Sequence, residues 1–510
     1  MNWVRHFLLR TIFSVVFITT FVFYNKLVVA AALECEISTP PIKTRIQNRD
    51  YPSVFMAWYH IQNLPLTITP DERIPYHDLV WDASYGTQYF SLSNELIDPE
   101  NNFHFEKLKT LQMLAANPNL IFVVTLPLRY VSEDNYLLQE HLQADDFPWQ
   151  RDTDGNRVLD TVPGGAGDWV DFTLPKAQEM FPHLAKGLKD CGYDGIFIDF
   201  WQEDRDPILR QGQVDILKKI RAAVGDDFLI IANTNDQINP SSAPYINGLM
   251  METYRALSDN YSHAGMIGLE ETLLWAAENL QEPVVNCLEG EGIGEESPMS
   301  PANLQGMRLI TTLSLTHSNG YVLYTMGVQH GEPHTHDADY SGPHYNPETG
   351  DPRAEAHAED HDTLFHHHHH EHYWYDFWNA DLGKPIGEIG ELYQTPNGVA
   401  IDGLFIREFT NGWAVYNRSG REQMIQLPEK VSGFASGIEN RRSHTLRDLD
   451  GEIYLKPVEV QNPADLNGDG VVNILDLVIV ANGLGSDAPD LNGDGSVNIL
   501  DLVIVANAFE

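Results

Sequence analysis

From Tyr51 to about Tyr324 the chain alternates between two hydrophobic textures. Short, nearly continuous apolar runs occur at Val54–Tyr59, Leu79–Ser84, Leu120–Leu126, Gly195–Trp201, Phe228–Asn233, Gly248–Tyr254, Pro283–Leu288 and Gly320–Tyr324. Such runs predict strands covered on both faces. Longer stretches of helical period lie between them. Ile208, Leu209, Ile216, Leu217, Ile220 and Val224 form one stripe, which Gly225 ends, and Thr173 with Pro175 opens the helix before it. Strands alternating with helices require a parallel sheet, and eight repeats predict a closed (β/α)8 TIM barrel over residues 50–382. Closure sends the C-terminal end of every strand to one face, where a site is assembled.

The pattern breaks over residues 330–372. This stretch carries 12 of the 21 histidines, including His366–His370, together with ten Asp or Glu and almost no aliphatic residue. It cannot pack a core, so it reads as a solvated low-complexity insertion after the eighth strand, with metal binding as the sharper alternative. Ordered sequence resumes at Tyr373-Trp374-Tyr375-Asp376-Phe377-Trp378, where the last barrel helix is expected. Over residues 383–460 the runs become short and β-like: Leu404–Phe409, Trp413–Tyr416, Met424–Leu427 and Ile453–Leu455. Turn residues separate them, notably Asn411-Gly412, and a small antiparallel β-sandwich is expected.

At the other end, Arg5 and Arg10 precede the uncharged stretch Thr11–Tyr24, and Ala30-Ala31-Ala32 supplies small residues for cleavage. Residues 1–32 therefore read as an export signal, with an uncleaved anchor as the alternative. The mature protein is expected to be extracellular or periplasmic, without stable membrane insertion. A formal charge of −41, from 32 Lys and Arg against 73 Asp and Glu, excludes nucleic acid and anionic membrane as partners. The three cysteines, Cys35, Cys191 and Cys287, are too few and too scattered for a disulfide framework. Cys191 and Cys287 read as buried thiols.

The tail repeats itself. Asp465-Leu466-Asn467-Gly468-Asp469-Gly470-Val471-Val472-Asn473-Ile474-Leu475-Asp476 recurs 25 residues later as Asp490-Leu491-Asn492-Gly493-Asp494-Gly495-Ser496-Val497-Asn498-Ile499-Leu500-Asp501. Oxygen side chains at loop positions 1, 3, 5, 9 and 12, with glycine at 6, follow EF-hand spacing. Position 7 adds a backbone carbonyl. The first Ca2+ set is Asp465, Asn467, Asp469, the carbonyl of Val471, Asn473 and Asp476. The second is Asp490, Asn492, Asp494, the carbonyl of Ser496, Asn498 and Asp501. Position 12 is Asp rather than Glu, and no helix precedes either loop. With the paired repeat, these features make residues 465–510 resemble a dockerin, an all-α EF-hand-like module. The resemblance implies a cohesin-bearing partner, met at Ile474, Leu475, Ile499 and Leu500. These four are aliphatic rather than Ser or Thr, which points to a hydrophobic contact or an intramolecular dock. So small and acidic a module is expected to fold only with metal.

The main chemical signal in the barrel is Gly192-Tyr193-Asp194-Gly195-Ile196-Phe197-Ile198-Asp199-Phe200-Trp201. An apolar strand runs into one carboxylate, Asp199, on the functional rim. The sixth strand places Glu252 similarly. Two carboxylates at one mouth are what two-carboxylate glycoside hydrolysis requires. Trp58, Tyr59, Trp81, Trp201 and Tyr254 are candidates to stack on sugar faces. His60, Asp82, Asn233 and Glu289 are candidates to bind or orient substrate. Asp236 is a further rim candidate, and Glu203 and Asp204 read as solvated loop residues. Gly-Tyr-Asp-Gly-Ile-Phe-Ile-Asp, with Trp374–Trp378 and Leu382-Gly383-Lys384-Pro385, resembles extracellular TIM-barrel glycoside hydrolases. That resemblance implies Asp199 as nucleophile or base and Glu252 as general acid/base, with no cofactor for the barrel chemistry. Two other readings stay open: a catalytically silent polysaccharide-binding protein tethered by its tail, and a metal-dependent hydrolase using the histidine tract.

Overall fold

The computed structural model describes residues 39–57, 61, 63, 70–81, 112–126, 128, 130–131, 147–158, 168–190, 192–293, 296–327, 370–457, 462–469 and 471–509. The expected export signal, Cys35, Cys191 and nearly all of the histidine-rich stretch lie outside them. Among the described residues no helix is long and apolar enough to cross a membrane.

Eight parallel strands form in chain order: β1 (Phe55–Ala57), β2 (Leu79–Trp81), β3 (Ile121–Thr125), β4 (Gly195–Ile198), β5 (Leu229–Asn233), β6 (Gly248–Met251), β7 (Cys287–Gly292) and β8 (Tyr321–Gly327). Each pairs with its sequence neighbour, and a parallel bridge between Val54 and Val322 joins β1 to β8. The (β/α)8 barrel is therefore present and nearly closed. Helix α1 (Ile42–Asn48) precedes it, and α2 (Pro175–Asp190), α3 (Pro207–Val224), α4 (Tyr254–Ser258), α5 (His263–Asn279) and α6 (Pro301–His317) lie between strands. Helix α3 starts where Asp206 accepts the backbone N–H of Ile208 and Leu209, and ends at Gly225 with φ +75°. Its buried face is Ile216, Leu217, Ile220 and Val224, whereas Ile208 is 72% exposed, because at N2 it lies outside the stripe.

The Gly-Tyr-Asp-Gly motif serves the end of the barrel opposite the rim. Asp194 takes a bidentate ion pair from Arg45 of α1 and also accepts the Phe122 backbone N–H at 2.9 Å. Gly195 is required because a Cβ there would meet the Leu229 carbonyl at 2.7 Å. This anchoring at the N-terminal face concerns stability, while Asp199 follows the other end of the same strand, at the mouth.

Two expectations differ. Strand β7 runs to Gly292, four residues beyond the apolar pattern, because Glu289 and Glu291 alternate on one face of the strand and hide it in the sequence. Tyr373–Trp378 forms no barrel helix. After β9 (His370–His372), antiparallel to β8, the chain makes only a short 3-10 turn over Asp376–Asn379. Its aromatic rings bury against one another, Tyr375 on Trp378 at 5.1 Å and Trp374 on Trp378 at 5.4 Å, and that packing replaces a helical face.

The following residues form a six-stranded antiparallel sheet: β10 (Leu392–Gln394), β11 (Ala400–Phe409), β12 (Gly412–Asn417), β13 (Gln423–Gly433), β14 (Arg441–Leu446) and β15 (Asp450–Leu455), in the order β10-β11-β12-β15-β13-β14. The sheet curls, since Tyr393 on the edge strand bonds through its hydroxyl to the backbone of Gln426 on β13. One core of Tyr393, Leu404, Trp413, Ile425, Leu427 and Tyr454 results, giving the expected sandwich as one folded-over sheet. Strands β10 and β14 escape sequence reading because they are short or mostly polar edges.

The sheet meets the barrel through charge pairs held away from water. Arg418 forks onto Glu270 of α5 at 2.5 and 2.6 Å, and Arg308 of α6 forks onto Asp450 at 2.9 Å twice. His317, at the end of α6, lies buried between the Phe405 and Tyr416 rings. Burial first, then the Arg418 and Arg407 charges, push its pKa down to about 3. In the unfolded chain it titrates near ~6.5. Its neutral form therefore contributes stability above about pH 6.5 that is lost as pH falls towards 3. We expect His317→Gln to flatten this acid slope in melting temperatures measured from pH 7 to 4.

The tail is a separate compact unit, residues 456–510. Each twelve-residue loop leads into one helix, α7 (Ile474–Asn482) or α8 (Ile499–Asn507).

Candidate active site

Asp199, Asn233 and Glu252 come together at the C-terminal mouth of the barrel. The first follows β4, the second ends β5 and the third follows β6, so parallel register sets them side by side. The buried Asn233 amide nitrogen donates to Asp199 Oδ1 at 2.8 Å and to Glu252 Oε1 at 2.9 Å. Two oxygens on one nitrogen are no further apart than the two bonds laid end to end, about 5.7 Å. The Asn233 carbonyl accepts the Asn235 backbone N–H at 3.1 Å, which fixes which way the amide faces. Both amide hydrogens are thereby engaged. Asn233, expected to bind a substrate hydroxyl, instead holds the two carboxylates.

The backbone here is strained. Phe200, directly after Asp199, has φ +51°, and Thr253, directly after Glu252, has φ +52°. Asn235 and Asp236 after β5 have φ +47° and +63°. Non-glycine residues in this region each cost on the order of 1–3 kcal/mol and persist only when surroundings impose them. At Thr253 a hydrogen-bond chain imposes it. The Glu291 backbone N–H donates to the Tyr261 hydroxyl, which donates to Thr253 Oγ1, which donates to the Glu289 carbonyl. At Phe200 its own N–H caps Asp199 Oδ1 at 2.9 Å, while Trp201 N–H donates to the backbone carbonyl of Asn233 at 2.7 Å.

Electrostatics single out one of the two carboxyl groups. Glu252 is pushed up to about pKa 8, by burial first, then by the charges of Asp199 and Glu289, with Asp236 adding less and the Asn233 amide opposing. A carboxyl group raised this far is suited to carrying a proton near neutral pH. Glu289 is also raised to about 8, by burial first, with the Thr325 hydroxyl at 2.8 Å opposing and Glu291 adding.

Other sequence candidates are distributed differently. Trp201 is wholly buried, its ring against Phe172 and its indole N–H on Ser242 at 3.1 Å, so it fastens loops and presents no face to a sugar. Glu203 is not a solvated loop residue: it accepts the N–H groups of Ser241 and Ser242 and the Ser241 hydroxyl. Asp204 accepts the Asp206 N–H, and Asp236 is buried beside Glu252. Trp58, Tyr59, His60 and Asp82 lie outside the described residues, and so do the side chains of Trp81 and Tyr254. Sequence reading missed the bridging role of Asn233 and the Tyr261–Thr253 lock. The one visible sign of the former was a polar residue closing the apolar run Leu229-Ile230-Ile231-Ala232.

In the tail, Asp476 and Asp501 are fully buried, and each closes its loop by accepting three backbone N–H groups. Those bonds, led by Asn473 N–H and Asn498 N–H, lower both pKa values and keep the carboxylates ionised. Asn467 donates to Asp469 and Asn492 to Asp494. Among the described residues no three His, Cys, Asp or Glu side chains converge tightly enough to hold an ion. The donors along each loop are nonetheless all oxygen, from ionised Asp, Asn and carbonyls, which fits a hard cation such as Ca2+. Ile474, Leu475, Ile499 and Leu500 are each more than half exposed.

The molecule is thus a barrel with a carboxylate pair at its mouth, a folded-over sheet and a paired-loop tail. Residues 463–510 match the dockerin type I domain, so the chain carries that module. None of the curated proteins matches the chain. Among solved structures, it is similar to the trehalulose synthase MutB from Pseudomonas mesoacidophila MX-45, at 12% identity over 80% of this chain and 97% of that one, with a TM-score of 0.42. It is similar also to the isomaltulose synthase SmuA from Protaminobacter rubrum, at 11% identity over 82% and 99%, with a TM-score of 0.44.

Proposed function

We propose that the barrel is a glycoside hydrolase acting on a polysaccharide with retention at the anomeric carbon, attached to a cohesin-bearing partner through its dockerin. The observation that carries the reading is the Asn233 amide shared by Asp199 and Glu252. The two bonded oxygens lie at most about 5.7 Å apart, which is compatible with the roughly 5–5.5 Å carboxyl separation of double displacement. Asp199, capped by a backbone N–H, attacks the anomeric carbon. Glu252, protonated at neutral pH, delivers its proton to the leaving oxygen, then takes one from the water that releases the sugar. A carboxyl group raised to about 8 beside a second carboxylate supports acid–base work over binding alone. Reducing-sugar release from a polysaccharide panel, with the product anomer read by proton NMR, tests this. Inversion would refute the double displacement, and inactivity on a broad panel would favour the silent binding protein.

Asn233 is a positioning residue in this scheme. We expect Asn233→Ala to lower kcat by about 10²-fold with little change in KM, the penalty of reacting groups held loosely. Its alkaline limb should also move, because the amide favours ionised Glu252.

In the tail we assign Ca2+ to Asp465, Asn467, Asp469, the Val471 carbonyl, Asn473 and Asp476, and to Asp490, Asn492, Asp494, the Ser496 carbonyl, Asn498 and Asp501. The exposed aliphatic residues Ile474, Leu475, Ile499 and Leu500 are the proposed partner contact. Export to the extracellular space or periplasm accords with such a module.

A further inference from the structure

Strand β7 outruns one of its neighbours at the mouth. It pairs with β8 from Cys287 to Gly292, but with β6 only at Cys287 and Leu288. In a parallel sheet, the backbone groups of alternate residues turn to opposite neighbours. The odd-numbered residues here turn to β6, since the Val285 N–H reaches the Asn247 carbonyl at 2.8 Å. The even-numbered ones turn to β8, since the Asn286 carbonyl accepts the Tyr321 N–H at 2.7 Å. The Glu289 carbonyl and the Glu291 N–H therefore face a strand that has ended at Met251. Backbone groups held from water need partners, and two hydroxyls replace the missing strand. Thr253 Oγ1 donates to the Glu289 carbonyl at 2.8 Å, and the Tyr261 hydroxyl accepts the Glu291 N–H at 2.8 Å. The hydroxyls lie 2.9 Å apart. Thr253 has given its one proton to a carbonyl, so Tyr261 donates to it, and the chain runs in a single direction.

The loop between the two hydroxyls delivers the tyrosine to this place. Helix α4 starts directly on Thr253, whose carbonyl accepts the Leu257 N–H at 2.8 Å. Asn260 and Tyr261 then take φ +48° and +49°, and the Tyr261 N–H returns to the Ala256 carbonyl at 2.7 Å. Gly265 lets α5 lie close on α4, since a Cβ there would meet Ala256 Cα at 3.2 Å. Residues 253–261 are thereby closed on themselves and pinned to β7 at both ends.

We propose that Tyr261 is a positioning residue for Glu252: through Thr253 it fastens the carboxyl-bearing end of β6 to β7, and so fixes where Glu252 stands among Asp199, Asp236 and Glu289. Its consequence for catalysis rests on the reading of Glu252 as general acid. Without the Tyr261 hydroxyl, Thr253 loses the anchor that holds its left-handed backbone, and its relaxation moves the adjoining Glu252. The carboxyl group then leaves the buried position where Asp199, Glu289 and Asp236 oppose its ionisation and the Asn233 amide favours it. Burial first, against the Glu291 and Thr253 hydrogen bonds, raises the Tyr261 hydroxyl far above its ordinary range, so it stays a donor at every working pH. A shifted alkaline limb therefore reports Glu252 and not Tyr261.

The test is an NMR titration of the Glu252 carboxyl carbon in the full chain with calcium, using 13C-labelled glutamate and Glu252→Gln for assignment. Beside it, kcat and KM are measured from pH 5 to 10 on a polysaccharide the wild type cleaves. We expect Tyr261→Phe to lower the Glu252 midpoint by about one pH unit or more, as the group gains solvent and loses its acidic neighbours. At neutral pH kcat should fall about tenfold with KM little changed, because the acid is loosely held. Glu252 acts when protonated, so the alkaline limb should move down with the midpoint. Thr253→Val should behave alike, Thr253→Ser should keep wild-type behaviour, and the double variant Tyr261→Phe/Thr253→Val should be no worse than either alone, because the hydroxyls form one chain. Tyr416→Phe, which takes a buried hydroxyl from Glu270 at 2.9 Å, is the control: it should lower the melting temperature without moving Glu252. A midpoint unmoved in both Tyr261→Phe and Thr253→Val, whatever their melting temperatures, would overturn the proposal. A wild type that cleaves nothing while the midpoint still moves would strike the hydrolase reading and leave Tyr261 as the residue that positions Glu252.

Discussion

Asp199→Asn should lower kcat by about 10³-fold or more on any glycoside the protein cleaves, because the amide can neither attack nor stabilise the oxocarbenium-like centre. Glu252→Gln should behave differently, and the difference is diagnostic. Its loss, about 10²–10⁴-fold on a polysaccharide, should nearly vanish for the first step with an aryl glycoside whose leaving group needs no proton. The wild-type pH profile carries the same information. Glu252 must be protonated to act as acid, and burial with the Asp199 and Glu289 charges holds its pKa near 8. Activity should therefore persist through neutrality and fall as pH rises past about 8. That alkaline limb should disappear in Glu252→Gln with the aryl substrate. Steady-state kinetics of the three proteins from pH 4 to 10 measure all of this. Full activity in either variant would remove that residue from the mechanism.

Calcium removal should have the second large effect, confined to residues 463–510. The buried apolar core of this unit is Ala464, Val472, Val480, Val497 and Val505, all small. So little apolar area does not offset the conformational entropy of ordering nearly fifty residues. Each loop also gathers carboxylates that repel one another unless a cation intervenes. We expect EDTA to abolish the helical signal of α7 and α8 and to open the tail to protease, while residues up to 455 keep their melting temperature. Asp476→Ala and Asp501→Ala should each lower calcium stoichiometry from two to one, since each carboxylate also closes its loop through three backbone N–H bonds. A tail that stays helical in EDTA would contradict the expectation.

Legibility followed the physical origin of each feature. The barrel was readable because strands covered on both faces must be apolar throughout, and seven of the eight runs fall on observed strands with small boundary shifts. Strand β7 was misplaced for the same reason reversed: Glu289 and Glu291 belong to the strand, and their charges break the apolar run. The dockerin module was readable because an EF-hand-like turn is local, with every oxygen group within twelve residues. Trp201 was misread because an aromatic ring at a strand end looks alike in sequence whether it faces solvent or Phe172 and Ser242.

By itself the sequence determined the eightfold alternation, the paired oxygen-donor loops and the two acids at strand ends, since each is written in periodicity or spacing along the chain. Tertiary structure alone decided that Asn233 joins Asp199 to Glu252 and that Tyr261 locks Thr253. These depend on residues up to tens of positions apart meeting across a closed barrel, and on the dielectric of that interior. No local pattern encodes either.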